Sequence, residues 1–280
     1  MTFPRQVPGI PRRSPIHELE TDVVYAEVDG VPLRYDHYRP LGVTGLAPAV
    51  VFVHGGGWVR GDPSQAAGNA LHLARRGIAT VAISYRLAPA HRFPAALDDV
   101  RRGLRWVRAQ AGRLGIDADR LALVGLSAGA HLVMLAHLAR QLPELAPDLP
   151  PELSDVPEAV RAVVCHYGPY DLARRRSEMV DALLGPRVED PAWTRLASPV
   201  AHAVHATAPA LLIHGTADAV VSWHESERMH AALVAAGKAS ELLLLEGAPH
   251  AFQVNWRGDA NQRANAAMDA FLDRHLVATA

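Results

Sequence analysis

Six short apolar runs recur along the chain, at Ala49–Val53, Ile78–Ser84, Arg120–Gly125, Ala159–His166, Ala210–His214 and Glu241–Leu245. Helix-period segments lie between and after them, near Gln65–Arg76, Ala95–Leu114, Ala128–Arg140, Trp223–Ala236 and Arg257–Leu276. Continuous apolar strands need cover on both faces, which a parallel sheet between two helix layers provides. The alternation predicts a single α/β unit. Ahead of it, Thr21–Val28 and Val31–Arg39 alternate at period two around Asp29-Gly30, the signature of an antiparallel hairpin.

Three stretches stand outside this rhythm. Residues 1–20 are proline-rich without a period and read as an arm preceding a single domain over 21–280. Gln141–Glu158 is proline- and acid-rich, and Asp171–Ala208 holds only short helical hints. Long excursions from a sheet usually shape a site, so both read as cap-like insertions that, with the arm, wall a pocket. Arg174–Arg176 reads as a solvated face, and Ser222 with Glu225 as a capping box opening the helix at Trp223.

Composition narrows the chemistry. With 28 basic and 29 acidic residues the net charge is −1, which gives no general attraction for nucleic acid or anionic membrane. Cys165 is the only cysteine, so an intramolecular disulfide, a CxxC pair and a multi-cysteine zinc site are all excluded. Lys238 is the only lysine, in a turn-like Ala-Ala-Gly-Lys-Ala-Ser, and no GxxxxGK[ST] surrounds it. No apolar stretch approaches the roughly 18 residues of a membrane span, and no signal-peptide run follows the N-terminus; a cytoplasmic protein is expected. Reactivity is left to serine, histidine and carboxylates, and no cofactor is expected.

Gly125-Leu126-Ser127-Ala128-Gly129 sits between the run Leu121–Val124 and a helical segment, the strand–turn–helix context of a nucleophile elbow. The flanking glycines let strand and helix approach across a strained serine. His54-Gly55-Gly56-Gly57-Trp58 follows another apolar run, and its backbone N–H groups suit an oxyanion. A serine nucleophile needs a base, and the base an orienting acid. Asp218 and His250 both follow apolar runs, at the carboxyl ends of parallel strands where ligands gather. Asp171, in Tyr167-Gly168-Pro169-Tyr170-Asp171, is the alternative acid.

Other candidates fit less well. His224, His230 and His275 lie within helices, and His131, four residues past Ser127, reads as a hydrogen-bonded core group. Asp98 and Asp99 read as structural charges. His224-Glu225-Ser226-Glu227-Arg228 lacks the final histidine of a zinc-binding helix, and His202 with His205 has no further ligand nearby, so no metal is expected.

These motifs, with Ser84-Tyr85-Arg86-Leu87-Ala88-Pro89 and Phe93-Pro94-Ala95-Ala96-Leu97-Asp98-Asp99, resemble the α/β-hydrolases of the hormone-sensitive-lipase-like esterase group over roughly residues 30–275. Leu126 and Ala130-His131 depart from the acidic residue and Gly-Asn common there. Ser-Ala-Gly-Ala-His is instead similar to kynurenine formamidase-like and feruloyl-esterase-like relatives. The resemblance implies an α/β-hydrolase fold: an eight-stranded, mostly parallel sheet with helices on both faces and a small cap. It implies a Ser127–His250–Asp218 triad, an oxyanion hole from the N–H groups of Gly56, Gly57 and Ala128, and Trp58 at the substrate-binding surface. The expected activity is hydrolysis of small or short-chain carboxylic esters. Arylformamide hydrolysis is the alternative, and a non-catalytic small-molecule receptor a third reading. The expected partners are a small ester and a second copy of the chain, in a homodimer.

Overall fold

The computed structural model describes residues 17–174 and 176–277; the arm expected over 1–20 lies outside the described residues up to position 16, as does Arg175. The strands are β1 (His17–Val28), β2 (Val31–Pro40), β3 (Ala47–Val53), β4 (Ala79–Ile83), β5 (Ile116–Leu126), β6 (Ala162–His166), β7 (Ala210–Gly215) and β8 (Ser240–Leu245). They form one sheet in the order β1-β2-β4-β3-β5-β6-β7-β8. The β1–β2 and β2–β4 pairs are antiparallel and the rest parallel, the eight-stranded, mostly parallel arrangement expected. The described α-helices are α1 (Ala67–Ala74), α2 (Ala95–Ala109), α3 (Ala111–Leu114), α4 (Ala128–Leu138), α5 (Pro151–Ser154), α6 (Glu178–Leu184), α7 (Pro191–Leu196), α8 (His224–Ala235) and α9 (Asp259–Leu272).

Every residue of β3, β4, β6 and β7 is buried, as continuous apolar runs require. Alternate residues serve opposite faces. Val50 and Phe52 join a cluster with Leu73 of α1 and with Met268 and Phe271 of α9. Val51 and Val53 join another with Leu97 and Leu104 of α2 and Val133 of α4. Helix α4 has no polar stripe because all of its residues are buried. At the sheet's antiparallel end, Asp29 (φ 52°) and Gly30 (φ 73°) make the left-handed two-residue turn of a tight hairpin. Edge strand β1 carries Glu18, Glu20, Asp22 and Glu27, charges that blunt pairing with another sheet.

The parallel strands end together. Val53 pairs with Gly125, Leu126 with His166, His166 with Ile213, and Gly215 with Leu245. The segments beginning at His54, Ser127, Tyr167, Thr216 and Glu246 therefore leave the sheet at one rim.

Two expectations change. The segment 141–158 does not lie over that rim. Helix α4 carries the chain about 16 Å back toward the strands' amino ends, and the segment then docks on α2. There Glu158 takes Arg101 Nε at 2.9 Å and Arg105 Nε at 2.6 Å, and Arg101 also donates to the Leu145 carbonyl. The capping box at Ser222 is absent: α8 starts after Trp223 without a side-chain cap. Glu225 turns inward instead and accepts the N–H groups of Tyr170 and Asp171 at 2.8 and 2.9 Å.

Candidate active site

The turn from β5 into α4 is where local sequence and geometry are most tightly coupled. Ser127 adopts φ 53° and ψ −116°, a conformation that costs a non-glycine residue on the order of 1–3 kcal/mol. Its N–H donates to the His166 carbonyl at 2.9 Å, and its carbonyl accepts the His131 N–H at 3.1 Å. A Cβ on Gly125 would collide with the Gly129 carbonyl, and one on Gly129 with the Val53 carbonyl. Both flanking glycines are therefore steric requirements. Ala128, the first residue of α4, has an N–H that the helix's own ladder does not use.

Across the rim, His250 Nε2 lies 3.1 Å from Ser127 Oγ, and His250 Nδ1 lies 2.6 Å from Asp218 Oδ2. Residues 123 and 32 positions apart thus meet in one chain of hydrogen bonds. Asp218 is held by more than the imidazole. Its Oδ1 accepts the N–H groups of Val220 and Val221, each at 2.8 Å. Its Oδ2 also lies 3.3 Å from His214 Nε2, and both side chains are fully buried. Burial works to raise the Asp218 carboxyl, but hydrogen bonds from His214, His250 and the Val221 N–H outweigh it. They hold the carboxyl well below its usual range.

His214 has no counterpart in the sequence-based site. Its Nε2 faces two acceptors, the Val221 carbonyl at 2.9 Å and Asp218, so it carries the proton. Its Nδ1 then accepts from Ser226 Oγ at 2.7 Å. The i,i+4 spacing within His214-Gly-Thr-Ala-Asp218 was the available signal. Asp171, the alternative acid, pairs with Arg174 at 3.2 Å and not with His250. His224 pairs with Glu227, His230 with Ser240, and His275 rests on Phe271, all apart from Ser127. Among the described residues no group of three His, Cys, Asp or Glu side chains is placed to hold a metal ion.

The glycine loop leaves β3 beside the elbow. Gly56 (φ 117°) and Gly57 (φ 63°) both need left-handed backbone; the Gly56 carbonyl accepts from Val59 and Arg60, and Met179 fills the space beside Gly57. Trp58 corrects the expectation of a substrate-facing ring. Its side chain is buried, and its Nε1 donates to His131 Nδ1 at 3.2 Å, so the indole ties the loop to α4. The segment 171–208 covers this side of the rim. Phe93 N–H donates to the Leu183 carbonyl at 2.9 Å and the Phe93 ring meets Trp193 edge-on. A separate cavity of about 590 Å³ lies toward the hairpin, lined by Arg34, Asp36, Asp62 and His91 among others; none of Ser127, Asp218 or His250 borders it.

The sequence pattern of the BD-FAE family matches residues 35–233, well over half of the chain. The chain belongs to the BD-FAE family. Esterase LipC of Mycobacterium tuberculosis is 36% identical to this BD-FAE protein over 74% of this chain and 54% of LipC. Ethyl acetate hydrolase of Pseudomonas putida is 34% identical over 83% of this chain and 75% of that protein. The chain spans about half the length of the mycobacterial relatives it matches. In three dimensions it resembles Thermogutta terrifontis esterase 2 phosphorylated by paraoxon, with a TM-score of 0.75 and 30% identity over 94% of this chain and 96% of that one. These esterases place the BD-FAE protein among the α/β-hydrolases that its motifs resemble. No described helix is long and apolar enough to cross a membrane.

Proposed function

We propose that this BD-FAE protein is a serine hydrolase that cleaves small carboxylic esters through an acyl-enzyme. The observation that carries the proposal is the unbroken path Ser127 Oγ–His250 Nε2–His250 Nδ1–Asp218 Oδ2, with steps of 3.1 and 2.6 Å between side chains. A carboxylate can only accept from Nδ1–H, which leaves Nε2 bare and directed at the serine hydroxyl.

In this reading Ser127 Oγ attacks the acyl carbon as its proton passes to His250 Nε2. The carbonyl oxygen becomes an oxyanion held by the N–H groups of Gly56, Gly57 and Ala128. His250 returns the proton to the departing alcohol. A water molecule, losing its proton to His250, then attacks the acyl carbon and releases the acid and free Ser127. Asp218 fixes the histidine tautomer and stabilises the imidazolium that forms twice per cycle.

The relatives named as esterases, and the one named ethyl acetate hydrolase, support a small ester as substrate. A homodimer and a cytoplasmic location belong to the same proposal, read by sedimentation and cell fractionation. The activity itself is tested on purified protein with p-nitrophenyl acetate, longer acyl esters and a formanilide. Acetate turnover is expected to exceed formanilide turnover, and Ser127→Ala to lower kcat by roughly 10⁶-fold, the scale seen when a triad serine is removed. Retention of a tenth of the wild-type rate in Ser127→Ala overturns the proposal.

A further inference from the structure

We propose that His131 is a positioning residue for ester hydrolysis: it holds the Gly56–Trp58 loop in register with Ser127 by clamping the Trp58 indole. The inference rests on the proposed roles of Ser127 and of the Gly56 and Gly57 N–H groups.

The argument begins with Trp58, which sits at φ 63°, a conformation that a bulky residue holds only where its surroundings impose it. Two contacts impose it. The Ala88 N–H donates to the Trp58 carbonyl at 2.9 Å, and the indole Nε1–H donates to His131 Nδ1 at 3.2 Å, with the two rings edge-to-face. The indole is buried, so no water is at hand to replace the imidazole as acceptor.

His131 in turn is tied to the nucleophile. One helical turn past Ser127, its N–H donates to the Ser127 carbonyl at 3.1 Å. A single residue therefore bonds the serine's backbone with its own backbone and the loop's tryptophan with its ring. Its second ring nitrogen, Nε2, lies 2.8 Å from the Ala197 carbonyl, in the segment that covers the loop. A carbonyl only accepts, so Nε2 carries the proton and Nδ1 is free to accept from an indole, which only donates. The two ring partners, the Trp58 indole and the Ala197 carbonyl, thus select one neutral tautomer. His131 touches no reacting atom in this account. It sets where the loop N–H groups stand relative to Ser127 Oγ, a distance to which transition-state stabilisation is sensitive.

The test compares His131→Leu, which removes the acceptor, with His131→Asn, whose amide oxygen can still accept from the indole, and with Trp58→Phe, which removes the donor. Each is assayed for kcat and KM on p-nitrophenyl acetate, for melting temperature, and for inhibition by a trifluoromethyl ketone that forms an oxyanion on the serine. His131→Leu is expected to lose about 10- to 100-fold in kcat with KM within roughly twofold, and to lose ketone affinity in parallel. His131→Asn is expected to recover most of that loss. Trp58→Phe should match His131→Leu, and the double variant should be no worse than either single.

Equal kcat for His131→Leu and wild type, equal defects in His131→Leu and His131→Asn, or multiplicative losses in the double variant would overturn the proposal. Should the histidine variants not fold, Trp58→Phe alone decides it: unchanged kcat and ketone affinity refute the clamp. Ser127→Ala, run alongside, reports separately on the underlying reading, because its failure to abolish turnover removes the serine mechanism whatever His131 does.

Discussion

His214 Nε2 stands 3.3 Å from Asp218 Oδ2, four residues along the same chain, with both side chains shut off from solvent. The carboxylate therefore faces two imidazoles, one at the rim and one beneath it. The lower one gives Asp218 a second donor that takes no part in the proton transfers at His250 Nε2. His214→Leu removes that donor and leaves Ser226 Oγ and the Val221 carbonyl short of a partner. We expect a stability loss of about 1–3 kcal/mol and a kcat lowered by roughly tenfold, smaller than for direct loss of the acid. Urea unfolding and steady-state kinetics check both. A variant with wild-type kcat shows that His214 only fills space.

Replacing the acid itself is more severe. Asp218→Asn keeps the shape but can present an amide N–H to His250, which turns the imidazole's proton onto the wrong nitrogen. A loss of roughly 10⁴-fold in kcat is expected, on the scale of the same change in a serine protease. Ester turnover within tenfold of wild type contradicts the assignment of Asp218.

Stability is expected to fall on the acid side in two stages. Burial pushes the imidazoles of His37, His54, His131, His137 and His166 down to about 4, so the folded protein refuses protons that the unfolded chain takes up below about 6.5. The unfolded state binds more protons there, and stability rises with pH across that window. It is complete above about 6.5 and lost progressively as pH falls toward 4, at about 1 kcal/mol per pH unit for each such histidine. The depressed Asp218 carboxyl adds a later loss below the usual carboxylate range, because its stabilisation exists only while it is ionised. Melting temperatures from pH 8 to 4 should be level to near 6.5 and then decline. A flat profile down to pH 5 refutes the buried, neutral histidines.

The Asp98-Asp99 pair at the start of α2 serves the fold. Asp99 is fully buried and takes the Arg86 guanidinium through Nε at 2.8 Å and Nη2 at 2.9 Å, plus the Arg86 N–H at 2.8 Å. Arg86 also reaches Asp29 in the hairpin turn at 2.5 Å. Asp99→Ala removes the buried carboxylate that pairs with Arg86, leaving its guanidinium the solvent-exposed Asp29, and should cost about 3 kcal/mol. Chemical denaturation reads this directly, and a cost under about 1 kcal/mol contradicts it.

Glycine replacement separates steric need from convenience at the elbow. Gly129→Ala forces a methyl group onto the Val53 carbonyl, a backbone atom that cannot swing aside, and should cost about 3 kcal/mol, the upper end for an added methyl in a packed site. Gly112→Ala, in open space within α3, should be neutral or slightly stabilising. Equal melting temperatures for the two variants refute the close approach of α4 to the end of β3.

How much of this was legible follows from the range of each interaction. The buried strands were readable because the runs from Ala49 to Leu245 have no polar face to give away. The elbow was readable because collision at Gly125 and Gly129 dictates residue type within five positions. Asp218 and Asp171 both follow buried runs, so only the fold separates them, by setting Asp218 against His250 and Asp171 against Arg174. What escaped depends on partners far apart in sequence. Glu225 is drawn from α8 by the N–H groups of Tyr170 and Asp171, so a local capping pattern misled. Trp58 looked like a pocket wall because nothing nearby announces His131, 73 residues on, as the acceptor for its indole. The placement of 141–158 turned on the direction in which α4 leaves the rim, and residue patterns do not encode that direction.

The central claim is that Ser127 is the nucleophile. Incubation of the purified protein with paraoxon, followed by peptide mass mapping and a parallel ester assay, tests it most directly. The account predicts one diethylphosphoryl group, on the peptide bearing Ser127, with turnover lost in proportion to labelling and no adduct in Ser127→Ala. An adduct on another side chain with Ser127 untouched, or full turnover after Ser127 is stoichiometrically labelled, would contradict it.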